Sequence, residues 1–263
     1  MRWLLAIATL LSFGPVLAVN APAVPFVENK GQWPEHVLYR ALVPGGALFV
    51  ERDALTYVLR QGGPMHHHGR ADLVEDPGPA RMHAYRVTFV GGRPGTGVGR
   101  EALPHYENHF VGADPAHWGT ACAVFPEVVV RGIYPGIDLR LDGRSGLKYE
   151  LLVAPGVDPS VVRMRFEGQD ALGLENGRLL VTTTAGVVIE EAPVSYQGTD
   201  RKLVPSSYRL TRDVVSFAFA GPLDHALPLV IDPVLTFSTY SGSNADNFGF
   251  TATCDDDGNL YGG

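Results

Sequence analysis

The residues best equipped for chemistry in this chain are histidines. His66-His67-His68 stand together, His83 follows, and His105 and His109 lie in the stretch Pro104-His105-Tyr106-Glu107-Asn108-His109-Phe110. Imidazoles can hold a divalent cation, and a His/Glu pair can exchange a proton with a substrate. Consecutive side chains on an extended segment point to opposite faces, however, so three adjacent histidines do not converge on one ion. A catalytic metal also needs ligands on rigid elements, with further groups fixing their tautomers. No nucleophile or third ligand accompanies His105, Glu107 and His109. That segment reads as a polar edge with Tyr106 and Phe110 packed inward.

Asp255-Asp256-Asp257-Gly258-Asn259 gathers carboxylates but lacks the spaced ligands and distal Glu of a helix-loop-helix calcium site. Asp-Gly between Cys254 and Leu260-Tyr261 reads instead as a hairpin turn. In Asn29-Lys30-Gly31-Gln32-Trp33-Pro34 the Trp can stack on a sugar, and Trp118 is a second candidate for that role. The competing role for Trp33 is a plug at one end of a sheet core. Cys122 and Cys254, far apart in the chain, read as two buried thiols rather than a bridge. There is no phosphate-binding Gly-rich loop, no Gly-x-Ser-x-Gly, no His-Glu-x-x-His and no Cys-x-x-Cys. No catalytic, cofactor-binding or metal-binding residue is assigned, no cofactor is expected, and the chain reads as a non-enzyme.

The elements that must carry these residues are short strands. With 31 Gly and 20 Pro among 263 residues, long helices are not expected. From Glu127 to Pro159 three runs, Glu127 to Arg131, Ile137 to Leu141 and Leu147 to Val153, are separated by Tyr134-Pro135-Gly136 and Gly143-Arg144-Ser145-Gly146. Ile137, Leu139 and Leu141 alternate with Asp138 and Arg140, and Leu147, Tyr149 and Leu151 with Lys148 and Glu150. This is the period of a half-buried sheet, and the meander is expected at the structural centre. Asp138 should face solvent or accept backbone hydrogen bonds from the Pro-Gly turn.

Val162, Met164 and Phe166 alternate with Arg163 and Arg165, and Asn176-Gly177 marks a hairpin tip. Asp114-Pro115 opens a single helical turn. Arg60 to Met82 reads as a long exposed loop. Strands with turn signals at this spacing predict an all-β fold, an antiparallel sandwich-like module.

A net charge of -7 argues against nucleic acid and against anionic membranes. Arg2, the apolar run Leu4 to Leu17 and the small Ala18 form an export signal cleaved after Ala18, too short for a spanning helix of ~20 residues. The mature chain should be secreted or held at the outer cell surface without membrane insertion. The expected domains are the signal over residues 1–18, a Pro/Ala linker over 19–25, the all-β module over 26–232 and a separate unit over 233–263.

Phe26 to Pro34, Tyr106 to Trp118, Tyr134 to Leu139, Lys148-Tyr149-Glu150 with Pro155 to Pro159, and Pro228 to Tyr240 resemble the N-terminal domain of bacterial SBBP-repeat proteins. Leu235 to Gly263 resembles the first of the β-propeller repeats that follow that domain, truncated where the repeat usually continues Tyr-Val-Thr-Gly. The resemblance implies a fragment of a non-enzymatic adhesion-type protein whose partner is an extracellular protein or glycan. Two alternatives stay open, a carbohydrate-binding module using Trp33 or Trp118 and a metal-dependent hydrolase built on the histidines. Because one partial repeat cannot hold a sheet, removing Leu235 to Gly263 is expected to leave the module folded.

Overall fold

The computed structural model describes residues 22–61, 81–110 and 112–238 and the strands Ala252–Cys254 and Leu260–Gly262. The chain opens with β1 (Phe26–Glu28), β2 (Val37–Val43), β3 (Gly46–Glu51), β4 (Ala54–Gln61), β5 (Arg81–Phe89), β6 (Thr96–Arg100), β7 (Tyr106–His109) and β8 (Gly119–Phe125). The meander follows as β9 (Glu127–Tyr134), β10 (Ile137–Asp142) and β11 (Lys148–Val153). Next come β12 (Arg163–Glu167), β13 (Ala171–Glu175), β14 (Arg178–Thr183), β15 (Gly186–Glu190), β16 (Val194–Gln197) and β17 (Lys202–Val204). The last strands are β18 (Ser206–Thr211), β19 (Val214–Phe219), β20 (Leu229–Asp232), β21 (Leu235–Ser238), β22 (Ala252–Cys254) and β23 (Leu260–Gly262). Single 3-10 turns span Pro115–His117 and Pro159–Val161, each capped by the preceding Asp.

Among the described residues every strand pair is antiparallel. The largest sheet has ten strands in the order β18-β19-β12-β5-β4-β3-β2-β1-β8-β7, and the second has seven, β17-β16-β20-β11-β10-β9-β6. A third, β13-β14-β15-β21, has four, and β22-β23 stand as a pair. The meander thus lies inside the second sheet. Alternation decides which side chains turn in. Phe26, Leu48, Tyr57, Tyr85 and Phe166 from the first sheet meet Leu139, Tyr149 and Leu151 from the second and Leu179, Val181 and Val188 from the third in one apolar core. This layering is sandwich-like.

Three boundaries differ from expectation. Arg60 and Met82, assigned to a loop, are cross-strand partners at the end of the β4–β5 ladder. Pro22 to Pro25 is no free linker. Val24 is buried in the main core and donates to the Gly143 carbonyl at 2.7 Å, while Gly146 donates to Pro22 at 3.2 Å. At the other end, Leu235–Ser238 was assigned to the following unit, but β21 pairs with β15 over four residues, and Leu235 is only 7% exposed. Leu235–Ser238 is thus the fourth strand of the third sheet. Residues 1–18 of the expected signal, His66 to His68 and Asp255 to Asn259 lie outside the described residues. Their flanking strands β22 and β23 do pair, Cys254 opposite Leu260.

Asp138 has a scaffold role. Its Oδ1 accepts from the backbone N of Gly132 at 2.7 Å. Gly132 has a φ of 72°, and the β9–β10 register shifts between Ile137 and Leu139. The carboxylate thus closes a bulge in β9. Asp138→Ala is expected to cost about 1–2 kcal/mol in urea unfolding, and an unchanged midpoint would remove that role.

Candidate functional site

The segment between β1 and β2 is folded by its own polar side chains. Asn29 Nδ2 donates to the carbonyls of Trp33, Pro34 and Val37 at 3.1, 3.0 and 2.8 Å, and Oδ1 accepts from Gly31 N and Trp33 N at 3.0 and 3.2 Å. Gln32 Nε2 donates to the Glu28 carbonyl at 2.7 Å and to Cys122 Sγ at 3.3 Å, and Lys30 Nζ reaches the Ala121 carbonyl at 2.7 Å. These groups are committed to holding the segment against β8. Cys122 is buried and free, and burial pushes its thiol up.

Trp33 is placed by this segment on the outer face of the first sheet. The register aligns Val124, Val27, Arg40 and Phe49 in one row. Trp33 packs there against Val27, Cys122 and Val124, a small core apart from the main one. Its ring lies 6.1 Å from Phe49 and 5.2 Å from His109, with the Arg40 guanidinium 5.7 Å away. Beside it opens a groove of about 710 Å³ lined by Asn29, Gln32, Trp33, Tyr39, Arg52 and His117 among others.

The edge strand β7 and the turn after it carry the second group. Trp118 is 36% exposed, donates Nε1–H to the Gly112 carbonyl at 3.1 Å and packs edge-on to Phe110 at 5.4 Å. Tyr106 and Phe110, expected inward, are each 62% exposed. Among the described residues no strand lies beyond β7 in this sheet. The fold thus brings Asn29–Pro34 and the Tyr106–Trp118 stretch to one end of the first sheet.

The described histidines do not converge. His109 pairs with Glu107 at 3.1 Å under Trp33, and His117 pairs with Asp114 at 3.3 Å. His83 meets Thr184 Oγ1 at 2.9 Å and the Gly168 carbonyl at 2.6 Å. Among the described residues no three His, Cys, Asp or Glu side chains are grouped to hold a metal ion. No described helix is long and apolar enough to cross a membrane.

Two acidic positions carry no sequence motif. Glu150 on β11 pairs with Arg140 and with Lys148 at 3.2 Å, and Lys148 also meets Asp232 at 3.7 Å. Burial and the Glu150 charge raise the Asp232 carboxyl. Glu190, 3% exposed, faces the main core, where Tyr149 and Tyr208 donate to its Oε2 at 2.8 and 3.3 Å. Burial pushes its carboxyl up to about 7, more than the two hydrogen bonds lower it. The signal for Glu190 was present. It shares the parity of buried Val188 in β15, so alternation alone turns it inward.

Neither curated proteins nor solved structures give a match to this chain. Residues 26–234 match the family model described as a domain of unknown function, DUF7948, and on that match the chain belongs to this family.

Proposed function

We propose that the chain is a non-enzymatic, exported, adhesion-type β module that precedes an array of SBBP-type β-propeller repeats and contacts an extracellular protein through the β7 end of its first sheet. The observation that carries the contact surface is the exposure of Tyr106 and Phe110 beside the half-exposed Trp118. Aromatic side chains left uncovered together on a protein surface mark interaction sites, because their burial awaits a partner. Support for the repeat comes from Leu235 to Gly263 and its resemblance to a first propeller repeat. The β22–β23 pair also fits the start of such a unit, since two strands need neighbours to bury a face.

The groove beside Trp33 favours a second reading, a carbohydrate-binding module. His117 lines that groove and is the sequence neighbour of Trp118. Much of its polar lining is already used internally by Asn29 and Gln32, which places this reading second.

Binding of the mature chain to immobilised matrix proteins and to a glycan array separates the two. Under the first reading, matrix binding falls at least about tenfold in the Phe110→Ala/Trp118→Ala double variant, corresponding to ~1.4 kcal/mol, with an unchanged thermal melt. Binding to glycans alone, competed by free sugar, would favour the second. Equal binding by variant and parent would remove the aromatic surface from both.

A further inference from the structure

Glu190 stands where three sheets meet. It lies on β15 of the third sheet, Tyr149 comes from β11 of the second and Tyr208 from β18 of the first. Tyr57 on β4 and Tyr85 on β5 also feel its charge. The ionisable groups facing the carboxyl are thus tyrosines, and among the described residues no Lys, Arg or His pairs with Glu190. A carboxylate in such surroundings is an uncompensated buried charge.

The hydrogen-bond count favours the protonated acid. Tyr208 has one hydroxyl hydrogen but two acceptors in reach, Glu190 Oε2 at 3.3 Å and the Glu191 carbonyl at 3.1 Å. A protonated Glu190 can give its hydrogen to Tyr208 Oη, freeing Tyr208 to donate to Glu191, while Tyr149 donates to Oε2. An ionised Glu190 has no hydrogen to give. Tyr208 must then choose between the carboxylate, which keeps the Tyr149 hydrogen bond, and the part-buried Glu191 carbonyl, so one of its two contacts across the seam is lost.

We propose that Glu190 is a proton-operated latch that fastens the third sheet, and with it β21, to the two larger sheets: protonated, it closes the seam, and ionised, it loosens it. The direction follows from linkage. The folded carboxyl holds its proton up to about pH 7, whereas the unfolded one releases it near 4.5. Stabilisation by the bound proton is therefore complete below about 4.5 and is lost as pH rises through about 7. β21 is the strand through which the module leads to the rest of the chain, so the latch governs how firmly that exit is held.

Amide hydrogen exchange on the full chain, corrected for the intrinsic pH dependence, tests the latch. The opening constant of β15 and β21 amides should rise about tenfold per pH unit from roughly pH 5.5 to 7 and then level off, while β3 and β4 amides stay unchanged. Glu190→Gln, whose amide can still donate to Tyr208, should remove the rise. A Gln variant with the parent's slope, or β3 and β4 opening in parallel with β21, would overturn the proposal. If that variant does not fold, the carboxyl-carbon resonance of Glu190 in the parent decides. Titration near pH 7 supports the latch, and titration at or below about 4.5 overturns it.

Discussion

A protein that stops at Asp232 is expected to melt far below one that stops at Ser238. The shorter version lacks β21, which covers the second edge of β15 and seats Leu235 in the main core. Burial of that side chain is worth about 2 kcal/mol, and each ladder hydrogen bond lost adds ~1 kcal/mol. The Glu191 amide also loses the Val234 carbonyl, which it meets at 2.9 Å. A total of roughly 4–6 kcal/mol is a large share of the 5–15 kcal/mol that holds a typical domain. Melts followed by dichroism should differ by about 10–20 °C. Midpoints within about 3 °C of each other would mean that β21 only decorates the sheet.

Gly143→Ala should be comparably damaging. A Cβ at this position would lie 1.9 Å from the Val24 carbonyl oxygen and 2.8 Å from its carbonyl carbon, both backbone atoms that cannot rotate away. Val24 would have to leave, breaking the bond of its amide to Gly143 and vacating a buried site in the main core. We expect a loss of about 3 kcal/mol or more in urea unfolding, in the range of a large core truncation. Gly173→Ala is the matched control, since nothing lies within 4 Å of its added methyl. It should stay within roughly 0.5 kcal/mol of the parent. Equal effects of the two would show that the Val24 clasp contributes nothing.

Sequence alternation revealed the strands that have one dry and one wet face. Ile137, Leu139 and Leu141 are buried, as are Val162, Met164 and Phe166, and the Asn176-Gly177 turn carries positive φ at both residues, 52° and 80°. It failed where neighbours, not period, set the residue. In β6, Thr-Gly-Val-Gly-Arg shows no apolar alternation. Its glycines are there because Tyr39 and Phe125 rings would stand 2.9 and 2.4 Å from a Cβ at Gly97 and Gly99.

Trp33 packs on the outer face of the first sheet rather than at an end of the main core, and that surface was not legible. That satellite core joins Val27 of β1 to Cys122 and Val124 of β8, strands far apart in sequence whose adjacency no local pattern encodes. Tyr106 and Phe110 were misread because an apolar residue on an uncovered edge has the same local sequence as one on a covered edge. Among the candidate residues, the Trp33 and Trp118 segments were identified and do meet, whereas Glu190 carries no motif at all.

The strand order also sets when the module can be completed during synthesis. β5 finds β12 only after the intervening strands exist, β11 waits for Leu229–Asp232, and β15 waits for Leu235–Ser238. Neither the second nor the third sheet can close on a nascent chain until nearly the whole module has left the ribosome. Pairings this distant in sequence close slowly, because the loop entropy is lost before the contacts form. Until then β11 and β15 present bare edges and apolar faces to whatever is near, so chaperone binding and proteolysis compete with the last two strands for the unfinished molecule.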